Sequence, residues 1–206
     1  MEQLFSFEEK KLHNERTYSP LGASNHSNKE RQKEDYYATP PFAVKKLLDT
    51  GIELSKNIWE PACGEGHISK VLEQYGYNVR STDIINRGYG SETIDFLCEE
   101  TPFDGDIVTN PPYKMGIRFV SHGIHLIPDN HKIVMLLRLC FLEGKERGIF
   151  FKENPPKEIY VFSSRIACAK NGKFQVSDGS TESGAVAYAW FEWVKGFKGK
   201  PQISWI

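Results

Sequence analysis

Apolar runs with the length of buried strands alternate with segments of helical apolar spacing along most of this chain. Strands and helices that alternate in this way build a parallel sheet, because a strand rejoins the same sheet in parallel through a right-handed crossover. The alternation therefore predicts an α/β, Rossmann-like fold. The strand-like runs cover residues 57–62, 78–82, 93–96, 107–109, 132–137, 156–162 and 185–194, and the helical segments cover residues 41–48, 68–75, 117–127 and 144–151.

Length and composition predict a single domain preceded by a polar segment. A chain of 206 residues can bury one full core. Residues 1–35 are polar and lack a sustained apolar period, so we expect a mobile arm there and one domain over residues 36–206. Residues 167–184 are rich in Lys, Asn, Gly, Ser and Asp. A connection this long in a compact domain is either functional, as in a substrate contact, or disordered.

Cysteine and histidine usage gives no sign of a metal site. Four cysteines occur singly, without a CxxC spacing, and the six histidines show no ligand-like spacing. A signal peptide and an apolar stretch of about 18 residues are both missing. We therefore expect a reduced, cytoplasmic protein with no bound metal and no membrane partner.

Charge is distributed unevenly along the chain, although the net charge is only −1. Residues 1–113 contain 12 Lys and Arg against 19 Asp and Glu, a net −7, whereas residues 114–206 contain 14 against 8, a net +6. If the second half forms one side of a cleft, that side attracts phosphate. The alternative is a solvated surface of mixed charge.

The segment Asn110-Pro111-Pro112-Tyr113 directly follows the strand-like run that ends at residue 109. It suits a planar exocyclic amine, whose delocalised lone pair makes it a poor nucleophile until acceptors take its hydrogens. The Asn110 oxygen can accept one hydrogen, and a stiff Pro-Pro turn can aim a backbone carbonyl at the other. Tyr113 offers a ring for a base to stack on. The alternative is an ordinary turn at the end of a strand.

A glycine turn and a strand-end acid indicate a nucleotide-like cofactor. Gly64 and Gly66 follow the first predicted strand and open a helix, where glycines let a ligand approach the backbone. Asp83 ends the next strand about 17 residues later, where α/β folds bind ribose hydroxyls. A dinucleotide is one candidate, but Ser69 stands where the full motif has its third glycine. Asp83 as a simple strand-end cap is the alternative.

Together these segments resemble the amino-group methyltransferases that use S-adenosylmethionine, and more closely the phage and prophage DNA adenine-N6 methyltransferases. The resemblance runs from about residue 22 to the C-terminus. It implies a seven-stranded methyltransferase sheet, mostly parallel with an antiparallel last strand. The matching segments are Tyr37-Ala38-Thr39-Pro40-Pro41, residues 60–66, Asp83, Asn110-Pro111-Pro112-Tyr113, residues 141–144 and residues 187–193.

The resemblance implies a role for each matching residue. The cofactor segment containing Tyr37 and the loop containing Ala62 would surround the cofactor. Its methionine part would lie near Thr39, Glu60, Gly64 and Gly66, its ribose on Asp83, and its adenine near Ile84, Asp95 and Phe96. Asn110 and the carbonyl of Pro111, stiffened by Pro112, would hold the target amine while Tyr113 stacks on a flipped base.

The implied activity is methyl transfer from S-adenosylmethionine to the N6 amine of adenine in DNA, either single-stranded or flipped from a duplex. The location would be the cytoplasm, of the host if a phage encodes the chain. Alternatives are N-methylation of RNA bases or of a protein glutamine, and a methyltransferase-fold subunit without turnover. Few residues are left for sequence recognition, and the oligomeric state is open. Candidate phosphate or base contacts are Lys114, Arg118, Arg138, Lys170, Asn171 and Lys173.

Overall fold

The computed structural model describes residues 36–170 and 186–206. In them, the helices are α1 (Pro41–Asp49), α2 (His67–Gln74), α3 (Gly116–Leu126) and α4 (Lys145–Glu153). The strands are β1 (Tyr37–Ala38), β2 (Asn57–Glu60), β3 (Asn78–Asp83), β4 (Glu92–Thr93), β5 (Asp106–Thr109), β6 (Lys132–Arg138), β7 (Glu158–Val161), β8 (Ala169–Lys170), β9 (Tyr188–Val194) and β10 (Gln202–Trp205). Short 3-10 helices lie at Phe96–Cys98, Tyr113–Met115 and Leu139–Leu142.

Eight of the described strands form one sheet in the order β4-β3-β2-β5-β6-β9-β7-β10. Every neighbouring pair is parallel except the two pairs that β9 makes, with β6 and with β7. The antiparallel strand β9 lies between β6 and β7 and pairs with β6 over its whole length, from Tyr188 to Val194. The sheet is therefore parallel with one reversed strand.

The sheet buries an apolar layer on each face, and β6 shows how one strand serves both. Val134 and Leu136 point to the side covered by α1 and α2. Ile133, Met135 and Leu137 point to the side covered by α3. All five are almost fully buried. A central strand with both faces covered is a continuous apolar run, which is why this strand is recognisable in the sequence.

The helix α1 begins where two prolines favour it. Pro40 adopts an extended conformation with φ −65° and ψ 135°, and Pro41 occupies the first helical position, where its missing N–H costs nothing. Ala43, Val44 and Leu47 form its buried stripe. The indole nitrogen of Trp190 donates to the Ala43 carbonyl at 3.0 Å, so the helix is hydrogen-bonded to β9 as well as packed on the sheet.

The order in which strands are added to the sheet changes direction between β2 and β5. From β2 the chain adds β3 and β4 on one side, and then returns to place β5 and β6 on the other. In open α/β sheets the crevice at such a point, outside the carboxyl ends of the strands, is where ligands bind. Glu60 ends β2, Asp83 ends β3 and Asn110 follows β5, so three predicted site residues meet at this edge.

A two-stranded antiparallel ribbon formed by β1 and β8 accompanies the main sheet. It pairs Tyr37 with Lys170 and Ala38 with Ala169. Two-residue strands carry no periodic pattern, and the sequence did not predict either of them. The ribbon fixes the backbone of residues 37 and 38 beside the edge where Asn110 lies, as the hydrogen bonds of Asn110 show below.

The predicted α/β fold with a mostly parallel sheet is confirmed, and so is the antiparallel orientation of the strand predicted at residues 185–194. The count of seven strands is wrong by one: β10 adds an eighth strand, parallel to β7. Its side chains Ile203 and Trp205 are exposed, so it lacks the buried alternation that identifies a strand. The predicted strand at residues 93–96 is partly replaced by a 3-10 helix. The predicted arm at residues 1–35 and most of the predicted loop lie outside the described residues.

Candidate active site

A cavity of about 230 Å³ lies at the switch point of the sheet. Its walls come from β1, from the turn after β2, from the ends of β3 and β5, and from the start of α3. The structure therefore brings together segments that are separated by up to about 80 residues in sequence. Eleven of the residues predicted from sequence line it: Tyr37, Thr39, Glu60, Ala62, Asp83, Ile84, Asp95, Phe96, Asn110, Pro111 and Pro112.

The side chain of Asn110 is held in one orientation. Its Nδ2 donates to the backbone carbonyl of Tyr37 at 2.8 Å and to the hydroxyl of Thr39 at 3.1 Å. A carbonyl can only accept, so the nitrogen and not the oxygen must face Tyr37. The Oδ1 atom is buried and accepts no hydrogen bond from any described residue. Asn110 therefore lines the cavity with an amide whose oxygen is an acceptor without a donor.

Glu60 is a buried carboxyl at the end of β2, 1% exposed. Its Oε2 accepts the backbone amide of Ser69 at 2.8 Å and also the Ser69 hydroxyl. Burial raises the pKa of Glu60 to about 8, and the Ser69 hydrogen bonds offset this only in part. A cationic group placed beside Glu60 would favour its charged form, since an opposite charge lowers the pKa of a carboxyl.

Asp83 ends β3 with both carboxylate oxygens in use. Oδ2 accepts the amide of Gly64 at 2.8 Å and Oδ1 accepts the amide of Ile85 at 2.9 Å. These bonds join the glycine turn to the end of β3 and fix the carboxylate at the wall of the cavity. Each oxygen retains further acceptor capacity, so Asp83 can also accept from hydroxyl groups.

Apolar and acidic groups lie side by side at the wall that follows β3. Ile84 is a large apolar side chain that remains 59% exposed at the cavity, and Phe96 is a buried ring packed edge-on against Trp59 at 5.1 Å. Asp95 is exposed, and its Oδ1 accepts the amide of Leu97 at 3.0 Å, which caps the 3-10 helix. An exposed aliphatic group beside a ring and a carboxylate suits a flat heteroaromatic ring with N–H donors.

Gly64 and Gly66 do not line the cavity, and aromatic rings explain why both are glycines. Gly64 has φ +55°, and a Cβ there would lie 2.3 Å from the Tyr36 ring. Gly66 has φ +77°, and a Cβ there would lie 2.3 Å from the Tyr89 ring. Backbone conformation and the nearby rings both require glycine at these positions. Tyr36, whose ring lies next to Gly64, itself lines the cavity.

Tyr113 also lies outside the cavity lining. Its ring stacks on Tyr37 with centroids 5.5 Å apart and an angle of 29° between the planes, and it contacts Tyr188 at 5.8 Å. The guanidinium of Arg138 lies over the ring at 4.5 Å from its centroid. Burial strongly raises the pKa of the Tyr113 hydroxyl. Side chains of the protein therefore already cover much of the Tyr113 ring.

Among the predicted cationic residues, Arg118 lines the cavity and is exposed. Lys114 is exposed on the 3-10 turn that precedes α3. The guanidinium of Arg138 lies over the Tyr113 ring, as described above. The side chain of Lys170, together with Asn171 and Lys173, lies outside what the structure describes.

Several residues of the cavity wall were not predicted from the sequence, among them Tyr36, Cys63, Arg87 and Met115. The Arg87 guanidinium lies over the Tyr36 ring at 4.3 Å, a contact between residues 51 positions apart that no spacing rule reveals. Burial raises the pKa of the Cys63 thiol to about 12. Because a thiol in that state is protonated at neutral pH, Cys63 is unsuited to act as a nucleophile.

Within residues 36–170 and 186–206, no three His, Cys, Asp or Glu side chains are close enough together to hold a metal ion. The same part of the chain contains no helix long and apolar enough to span a bilayer. At the cavity, the described polar groups are instead suited to binding neutral donors and cations: a free amide oxygen, a fixed carboxylate and a buried carboxyl.

No protein-family model matches the sequence, and no curated protein matches it. Solved structures share the fold at low identity. A protein from Listeria monocytogenes described as a class I S-adenosylmethionine-dependent methyltransferase gives a TM-score of 0.54 at 14% identity, over 86% of this chain and 68% of that one. A type I restriction-modification methyltransferase subunit from Streptococcus thermophilus gives 0.54 at 15% identity, over 78% of this chain and 45% of that one.

A protein from Pyrococcus horikoshii described as an RNA methyltransferase gives a TM-score of 0.56 at 13% identity, over 78% of this chain and 88% of that one. This chain thus spans less than half of the Streptococcus subunit but most of the Pyrococcus protein. Identities this low show the architecture and leave the substrate open. The described residues of this chain have the fold of the class I S-adenosylmethionine-dependent methyltransferases.

Proposed function

We propose that this chain transfers a methyl group from S-adenosylmethionine to the exocyclic N6 amine of adenine in DNA. The free Oδ1 of Asn110 is the observation that carries the proposal. It is a buried acceptor at a cavity wall, and its amide nitrogen is already used by Tyr37 and Thr39. A buried acceptor without a donor is costly, so a ligand N–H that enters the cavity is a favourable partner.

Asn110 would accept one hydrogen of the target amine and the Pro111 carbonyl the other. The neighbouring carbonyl, that of Pro112, accepts the Met115 amide at 2.8 Å and is used by the turn. Two acceptors on one amine draw its hydrogens out of the ring plane and free the nitrogen lone pair. Asn110 and Pro111 would thus align the nitrogen for attack, and alignment of this kind is a major contribution of an enzyme to a transfer reaction.

The cavity wall fits S-adenosylmethionine in the chemistry of its donors and acceptors. The buried carboxyl of Glu60 suits an ammonium group, and the fixed carboxylate of Asp83 suits ribose hydroxyls. Ile84 and Phe96 suit the faces and edge of an adenine ring, and Asp95 suits its amino group. When bound, this cofactor supplies a methyl group already activated on a sulfonium, so the proposed reaction needs no metal and no covalent nucleophile.

A base inside a duplex cannot reach a cavity at the edge of a sheet, so base flipping belongs to the proposal. Unstacking a base costs a few kcal/mol, which stacking on an aromatic ring can offset. Tyr113 would supply that ring, which requires Arg138 or Tyr37 to give up part of its contact with Tyr113. Arg118 at the cavity and exposed Lys114 beside it would bind phosphate groups of the DNA.

The experiment that tests the proposal follows tritiated methyl groups from S-adenosylmethionine into DNA, RNA and protein fractions. Wild-type protein should label DNA, and Asn110→Ala should lower the rate by at least about 100-fold, as loss of a positioned hydrogen-bond partner in an active site does. Cofactor affinity measured by calorimetry should stay within a few-fold, because the lost acceptor faces the amine and not the cofactor.

Asp104→Ala is a suitable control. It also removes a polar side chain, but the Asp104 side chain is 92% exposed and does not line the cavity. It should label DNA at the wild-type rate. If label appears in RNA or protein and not in DNA, the proposed substrate is wrong, and RNA or protein is the substrate instead. Asn110→Ala protein that still labels DNA at the wild-type rate would contradict the role of Asn110.

A further inference from the structure

We infer that Thr39 is a positioning residue for Asn110, and that together with the Tyr37 carbonyl it sets which atom of the Asn110 amide faces the substrate. The inference rests on the proposed function, because it assigns a task to two residues of the same site. It also moves Thr39 and Tyr37 away from the cofactor role that the family resemblance implies for their segment.

Both N–H groups of the Asn110 side chain have partners. An amide nitrogen has two donors, and both acceptors it uses belong to the short segment at β1: the Tyr37 carbonyl at 2.8 Å and the Thr39 hydroxyl at 3.1 Å. These contacts join residues 73 and 71 positions apart. Both donors are thus satisfied by one short segment, residues 37–39, and the oxygen is the part of the amide left without a partner among the described residues.

The two acceptors differ in whether they can also donate a hydrogen bond. The Tyr37 carbonyl can only accept, so it excludes the orientation in which Oδ1 would face it. The Thr39 hydroxyl can donate or accept, so it does not select an orientation, but it satisfies the second N–H. Without that hydroxyl, one partly buried N–H would lose its partner, and rotation of the amide toward another partner would move Oδ1.

Residues 37–39, which supply both acceptors, are held in place by burial, strand pairing and ring stacking. Thr39 is 2% exposed, so its hydroxyl has little room to move. Ala38 pairs with Ala169 in the ribbon, which fixes the backbone between the two acceptors. The Tyr37 ring stacks on Tyr113. The residue whose carbonyl binds Asn110 therefore also contacts Tyr113, the last residue of the segment 110–113. One short strand therefore touches both ends of that segment.

Replacement of Thr39 by valine tests the inference, because valine keeps the shape and burial but removes the hydroxyl. Thr39→Val should lower kcat for methyl transfer by about 10- to 100-fold, the usual effect of misplacing a reacting group by a fraction of an ångström to an ångström. The KM and the calorimetric Kd for S-adenosylmethionine should remain within about threefold. Thr39→Ser, which restores the acceptor, should recover most of kcat.

Thr82→Val is the matched control. Thr82 is also a fully buried threonine whose hydroxyl accepts a side-chain N–H, that of Trp59 at 2.9 Å, but it is not part of the cavity wall. Its replacement should lower thermal stability to a similar degree and leave kcat unchanged. If Thr39→Val weakens cofactor binding at least tenfold while kcat at saturating cofactor is unchanged, Thr39 is a cofactor contact and the inference is wrong.

A readout without turnover separates this inference from the proposed function. In ¹⁵N-labelled protein, the side-chain NH₂ signals of Asn110 can be assigned by their loss in Asn110→Ala. In the wild type both N–H groups should exchange slowly with solvent, and Thr39→Val should accelerate exchange at one of them, whether or not the protein methylates DNA. Unchanged exchange in Thr39→Val would overturn the positioning role even if DNA methylation is found.

Discussion

Ser69 shows how one residue explains a departure from a familiar pattern. It stands where a dinucleotide fingerprint has its third glycine, and the structure gives its polar atoms another use. Its amide and hydroxyl both donate to Glu60, and its hydroxyl lies 2.7 Å from that of Ser81 on β3. A buried carboxyl needs such partners. Ser69 therefore supports an acid at the end of β2, where glycine would offer only its amide.

The raised pKa of Glu60 makes stability depend on pH. The carboxyl keeps its proton in the folded protein up to about pH 8, whereas in the unfolded chain it ionises near 4.5. Its contribution is therefore fully present below about pH 4.5 and is lost as pH rises toward 8. In that window the free energy of unfolding should fall with a slope of up to about 1.4 kcal/mol per pH unit from this group.

Denaturant unfolding of wild type and Glu60→Gln at several pH values between 5 and 8 would measure this loss. Glutamine cannot ionise, so the variant should gain stability relative to wild type as pH rises. Glu65→Gln is the control, since Glu65 is exposed on the same turn; its curve should stay parallel to that of the wild type. A constant difference between Glu60→Gln and wild type across the range would contradict the raised pKa.

At the scale of elements, the turn between β2 and α2 has a backbone conformation that glycine adopts without strain and other residues do not. Gly66 and Gly51 have nearly the same positive φ, +77° and +79°. They differ in their surroundings, because a Cβ at Gly66 would lie 2.3 Å from the Tyr89 ring and one at Gly51 would meet nothing within 4 Å. The pair separates the cost of backbone strain from the cost of contact.

We expect Gly51→Ala to lower the free energy of unfolding by about 1–2 kcal/mol, the cost of a left-handed conformation for alanine. Gly66→Ala should cost at least about 1 kcal/mol more, because Tyr89 must move as well. Gly66→Ala should also weaken S-adenosylmethionine binding, since it disturbs the turn that carries Gly64 and its bond to Asp83. Equal destabilisation by the two substitutions would show that Tyr89 adjusts without cost.

The elements near the site could be predicted because each has a strong local signal. The runs that became β2, β5 and β6 are rich in apolar residues, and the more polar β3 follows a helix and the glycine turn at Gly76. The carboxyl ends of these strands, and with them Glu60, Asp83 and Asn110, could therefore be placed at one edge. The position of Tyr113 could not, since its contacts with Arg138 and Tyr188 depend on tertiary packing. The ribbon of β1 and β8 was missed for a similar reason: its residues are about 130 positions apart.

For the whole molecule, topology accounts for the assembly of the site. A parallel sheet directs the ends of β2, β3 and β5 to the same edge, and the reversal of strand order opens the cavity between them. The eighth strand, β10, is one outer strand of the sheet, and β4 is the other. β7, β9 and β6 separate β10 from β5, so β10 is far along the sheet from the cavity. The fold is that of class I methyltransferases, and the proposal of adenine in DNA as the target rests on Asn110 and its neighbours.

The most direct test of that target is the identity of the methylated nucleoside. Purified protein is incubated with S-adenosylmethionine and unmethylated DNA, and the DNA is digested to nucleosides for mass spectrometry. The proposal predicts N6-methyladenine with wild-type protein and none above background with Asn110→Ala. DNA that yields only N4-methylcytosine, or no methylated nucleoside although calorimetry shows bound S-adenosylmethionine, would contradict it.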